Sequence, residues 1–200
     1  MKFIDSYKAQ LEKYVIEGLN QAKKAKAKQF RLDWSDGPFF CRAFNLAKYF
    51  EDDTCDYEDA LEIENFPLEQ IRLFAEENLD AREFFINEEE ISIYEEGDGW
   101  DCAFDCGPYI EAGEWVKLMV DDIIIKMKEK YQNHPDYKEI KIEFCGHDGL
   151  YPHNIEHNLE DIRELREERE YSVKPEIIKN YFSLFTDKPE ESWLKAAKSI

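Results

Sequence analysis

Five consecutive residues, His153-Asn154-Ile155-Glu156-His157, carry two imidazoles four positions apart and a carboxylate between them. On a helix, positions i and i+4 share a face, so the two histidines could hold a zinc ion while Glu156 activates a water. A second grouping joins Cys102 and Cys106 to Cys145 and His147. Two thiolates on one zinc must approach within about 4 Å, whereas four steps of ~3.3 Å place Cys102 about 13 Å from Cys106 in an extended strand. Gly107-Pro108 could bend the chain only after Cys106, so buried structural thiols are the competing expectation. Cys145 or Cys106 beside His147 and Asp148 could also supply a thiol nucleophile and its base, but no local motif surrounds either cysteine. The metal candidates are therefore Cys145, His147, His153 and His157. No residue is assigned as catalytic and no cofactor is expected.

The H-x-x-E-H spacing resembles the inverted zinc-protease signature, and the resemblance covers those five residues alone. Pro152 stands directly before them and places both histidines at a helix start, where Asn154 or His153 capping a polar first turn is the alternative. The further glutamate that the resemblance implies would have to be Glu176, Glu190 or Glu191, each on an ordinary amphipathic segment. No Walker loop and no G-x-G-x-x-G is present, so nucleotide binding has no support.

Hard oxygen ligands are plentiful: Asp52-Asp53, Glu95-Glu96 and Asp121-Asp122 are adjacent pairs suited to magnesium or calcium. Singly, such pairs are ordinary surface features. Collectively they are not, because residues 51–122 hold 25 Asp and Glu against Arg72, Arg82 and Lys117, a balance of 3 − 25 = −22. Residues 1–50 carry 10 bases and 5 acids, and residues 123–200 carry 13 and 16, giving +5 and −3. The charge is thus segregated, which suggests a surface that attracts or imitates something charged.

These residues need elements to hold them. Phe3, Tyr7, Leu11, Tyr14, Val15 and Leu19 recur at helical spacing, predicting a helix over residues 3–26 that ends in Lys23, Lys24 and Lys26. Phe30, Leu32 and Trp34 alternate with polar residues as in a half-buried strand, closed by Ser35-Asp36-Gly37-Pro38. Helices are expected from about Phe40 and from Pro67, and residues 90–106 read as a hairpin around Gly97-Asp98-Gly99. After Gly107-Pro108 a strongly apolar helix should run to about Lys130, followed by a strand through Ile140, Ile142 and Phe144. Further helices should carry Leu159, Ile162 and Leu165, then Ile177, Ile178, Tyr181, Phe182 and Phe185, then Trp193 and Leu194. The expected fold is α+β: a small, mainly antiparallel sheet of about four strands, including the hairpin, covered by several helices.

Two hundred residues, 43% hydrophobic and 14% aromatic, predict one well-buried domain spanning residues 1–200 despite a net charge of −20. Self-repulsion in the acidic stretch should make the fold salt-stabilised, so a higher melting temperature is expected in ~0.5 M salt, where the screening length is roughly 4 Å. Five cysteines, an odd number, and an N-terminus with charge at every turn predict a cytoplasmic protein without signal peptide or membrane span. Acidity on this scale also argues against direct binding of nucleic acid or anionic membrane.

The leading expectation is an acidic binding or inhibitor protein that blocks a basic, nucleic-acid-binding surface of a nuclease, toxin or defence protein. An immunity protein against a nuclease toxin and a DNA-mimicking anti-defence protein both work on this physical plan. The binding surface is expected at Tyr94, Glu95, Glu96, Asp98, Trp100, Asp101 and Asp105, with Tyr109, Glu111, Glu114, Asp121 and Asp122 extending it along the next helix. The alternative is a zinc-dependent hydrolase centred on residues 145–157.

Overall fold

A computed structural model describes residues 1–33, 67, 70, 73–74, 77, 108–146, 149–150, 154–168 and 172–200. They fall into two compact units, one comprising Phe3–Phe66 and Val120–Ile155 and the other Pro67–Met119 and Glu156–Ile200.

The first unit is built on α1 (Phe3–Lys24), whose buried positions Phe3, Tyr7, Leu11, Val15, Leu19 and Ala22 follow the helical period. Its end is closed by the left-handed residue Lys26, at φ 56°. The Ala27 amide donates to the Ala22 carbonyl at 2.8 Å and the Lys26 amide to that of Lys23 at 3.1 Å, the paired bonds of a Schellman cap. Glycine is the default at that position because a Cβ costs about 1–2 kcal/mol in the left-handed region. Lys26→Gly is therefore expected to raise unfolding stability by about 1 kcal/mol in urea titrations.

From this cap the chain enters β1 (Gln29–Asp33), which pairs with β2 (Lys141–Gly146). Phe30 lies opposite Ile142 and Leu32 opposite Phe144, so the register stacks four buried apolar side chains on one face. β2 also meets β3 (Gly149–Leu150) across two antiparallel residue pairs. On the flanks, the Tyr131 hydroxyl donates to Glu12 at 2.8 Å and Lys130 pairs with the same carboxylate. These bonds, that of Lys130 foremost, hold the Glu12 carboxyl below its ordinary range. A 3₁₀ turn (Pro135–Tyr137) is fastened to α1 by the Tyr137 hydroxyl, which donates to Asn20 at 2.9 Å.

The expected four-stranded, mainly antiparallel sheet is corrected by this arrangement. The described residues are mostly helical, and the principal strand pair, β1 with β2, is parallel. Antiparallel neighbours can be joined by a tight turn, whereas a parallel pair needs a long crossover. Residues 34–140 separate these two strands and include α2 (Pro108–Gln132), of which residues 120–132 belong to the first unit. The expected 90–106 hairpin lies outside the described residues.

The second unit contains residues 108–119 of α2, α3 (Ile155–Glu168) from Glu156 onward, α4 (Pro175–Phe185) and α5 (Glu191–Ser199). Pro175 opens α4 at a position where a missing amide is no loss. Phe182 meets Trp115 edge to face at 5.7 Å and Trp193 at 6.0 Å, joining α2, α4 and α5 in one aromatic core. Phe74, itself helical, packs its ring 5.5 Å from Tyr181. Among the described residues no helix is long and apolar enough to cross a membrane.

Candidate functional site

Carboxylates on α2 were expected to project into a partner, and the helix's own periodicity argues about their direction. Glu111, Trp115, Leu118 and Asp122 stand at i, i+4, i+7 and i+11, which places all four on one face of a 3.6-residue helix. Trp115 and Leu118 are fully buried, and Glu111 and Asp122 follow them inward at 2% and 7% exposure.

Glu111 is consumed by internal bonds. Its Oε1 accepts from Arg166 Nε at 2.9 Å, Arg166 Nη2 at 2.5 Å and Trp115 Nε1 at 3.2 Å. Its Oε2 accepts from the Val173 amide at 2.9 Å, and Arg166 Nη2 also donates to the Val173 carbonyl at 2.6 Å. One carboxylate and one guanidinium thus clasp α2, α3 and the backbone leading into α4. A carboxylate buried to 2% exposure with both oxygens engaged by its own chain is a structural clasp.

Asp121 is fully buried, and Asp122 pairs with Lys126 one turn on at 2.7 Å. Burial therefore turns Glu111, Asp121 and Asp122 away from the expected binding surface, and Glu111 and Asp122 are in addition paired with cations of their own chain. Glu114 is half-buried, and Lys117 stands 3.4 Å from it and 3.4 Å from Asp161 on α3. Loss of hydration pushes the Glu114 carboxyl up from the ordinary range, opposed by the Lys117 ammonium and reinforced by Asp161. Tyr109 lies in the first turn of α2. Tyr94, Glu95, Glu96, Asp98, Trp100, Asp101 and Asp105 lie outside the described residues.

The expected metal candidates are only partly placed. Cys145 is in β2 and His157 is exposed in the first turn of α3, while His147 and His153 lie outside the described residues. α3 begins at Ile155, so the H-x-x-E-H segment straddles a helix start as the preceding proline predicts. Among the described residues no three His, Cys, Asp or Glu side chains gather closely enough to hold a metal ion.

Two polar residues on α3 were not foreseen as important. Arg166 completes the clasp, and Asn158 is 1% exposed with neither amide atom hydrogen-bonded among the described residues. Both were legible in principle, since Ile155, Asn158, Leu159, Ile162 and Arg166 share the helical stripe on which Leu159 and Ile162 are buried.

No family model, curated protein or solved structure matches this chain.

Proposed function

We propose that this chain is an acidic binding protein whose carboxylate-rich stretch occupies a basic surface on another protein, in the manner of an inhibitor. The observation that carries the reading is the segregation of charge. With the acids of α2 set aside, residues 51–107 still hold 21 Asp and Glu against Arg72 and Arg82, a balance of 2 − 21 = −19. That excess is larger than folding requires, since a small domain stays soluble with a net charge of roughly 2–8. Carboxylates at this density can take the positions that phosphates occupy in a nucleic-acid groove and raise the rate of encounter with a basic protein. The partner class is a nuclease, toxin or defence protein with such a groove, and the compartment that suits five cysteines is the cytoplasm.

The contact is assigned to Glu95, Glu96, Asp98, Asp101 and Asp105, with Tyr94, Trp100 and Tyr109 as aromatic anchors and Glu114 at the margin. Glu96, Asp98, Asp101 and Asp105 changed together to lysine should abolish capture of basic proteins from host lysate. Affinity purification with mass spectrometry reads the result, and an unchanged circular dichroism spectrum shows that the fold survives. Equal recovery of the same basic protein by both chains would reject this surface.

A further inference from the structure

The first unit carries a cluster of lysines, a lysine pole. Two separate segments bring lysines to one end of it: Lys23, Lys24, Lys26 and Lys28 from the last turn of α1 and its connection to β1, and Lys138 after the 3₁₀ turn. Their proximity is fixed by bonds. Lys23 pairs with Asp136 at 3.7 Å and lies over the Tyr137 ring at 5.9 Å, and the Lys141 amide donates to the Lys28 carbonyl at 2.9 Å.

Lys24, Lys26, Lys28 and Lys138 are exposed, and among the described residues none of their ammonium groups has a carboxylate partner. The helix dipole accounts for lysines in the last turn of α1. It does not account for Lys28 or Lys138, which stand outside that turn.

We propose that this lysine pole docks the acidic stretch of a second copy of the chain, a reading that rests on that stretch being a binding surface. Charge complementarity selects the occupant. A duplex nucleic acid or an anionic membrane presents uniform negative charge and would also face the protein's own −20. A second copy carries 21 acids within residues 51–107 and can meet the lysines with those acids. The contact is short-ranged, because the copies repel as wholes and attract only where the poles meet.

That opposition gives the association an unusual salt profile. It should be strongest near ~0.15 M salt, where the screening length of about 8 Å hides the net charges but not the contact. It should weaken at ~0.01 M, where the length is about 30 Å and the net repulsion dominates, and at ~1 M, where it is about 3 Å and the contact itself is screened.

The test is analytical ultracentrifugation of the full chain with thiols kept reduced. The weight-average mass should rise above 23.9 kDa with concentration at the intermediate salt and return toward it at both extremes. Lys24→Glu, Lys26→Glu, Lys28→Glu and Lys138→Glu combined should weaken association on the order of tenfold or more, and the four corresponding arginine substitutions should preserve it. A chain monomeric throughout, association unaffected by the reversal, or a monomer whose lysines bind duplex DNA or anionic vesicles would overturn the proposal. The two readings fail separately. A monomeric chain that still captures a basic protein through its acid quartet overturns self-docking alone, whereas self-association without any captured protein overturns the inhibitor reading alone.

Discussion

Glu111→Ala is expected to destabilise the protein by about 3–5 kcal/mol, the usual result of removing one member of a buried ion pair. The cost does not measure the bond strength of the pair. It arises because Arg166, whose side chain is only 15% exposed, keeps its charge with no carboxylate to receive it, and the Val173 amide and Trp115 Nε1 lose their acceptor at the same time. Glu111→Met combined with Arg166→Met should recover much of that loss, since two apolar side chains leave no orphaned charge. Urea denaturation of the three variants separates these contributions. A single-variant loss below about 1 kcal/mol would mean that the clasp behaves as a surface pair.

Phe182→Ala should cost a further large amount, about 3–5 kcal/mol, through loss of apolar burial and the cavity it leaves. Phe182 is fully buried and its ring is the shared neighbour of Trp115 and Trp193. Thermal unfolding followed by tryptophan fluorescence reads both the loss of stability and the loosening around the two indoles. Against a total stability of roughly 5–15 kcal/mol, either substitution removes from about a fifth of it to nearly all of it. Because Trp115 touches both Glu111 and Phe182, the two effects should not add.

The helices were legible because burial on one side imposes a period. Phe3, Tyr7, Leu11, Val15 and Leu19 announce α1, and Ile178, Tyr181, Phe182 and Phe185 announce α4 in the same way. β1 was legible from Phe30 and Leu32, but its partner was not: alternation states which face is buried and says nothing about which strand lies alongside or in which direction. The antiparallel expectation came from a hairpin pattern elsewhere in the chain, while the pairing observed joins strands far apart in sequence.

The burial of three carboxylates on α2 was missed for a different reason. Glu111, Asp121 and Asp122 were counted by charge, as surface residues, although they sit among Ala112, Trp115, Val116, Leu118, Met119 and Val120, all buried on the same helix. Position on the stripe with Trp115 and Leu118 was the better guide for Glu111 and Asp122. Asp122 finds its cation one turn on, at Lys126 of the same helix, whereas the helix alone cannot supply the one that Glu111 needs. For Glu111 that cation is Arg166, 55 residues away.

The parallel pairing of β1 with β2 also sets a timetable for synthesis. At ~5–20 residues per second, the 107 residues between Asp33 and Lys141 take about 5–20 s to make, and until then the β1 edge that will receive β2 stands unfilled. The stretch emerging meanwhile is the one with 21 carboxylates in residues 51–107, so neighbouring nascent chains repel one another while their strand edges are open. The charge that carries the proposed binding reading thus also keeps unfinished chains from pairing with their siblings.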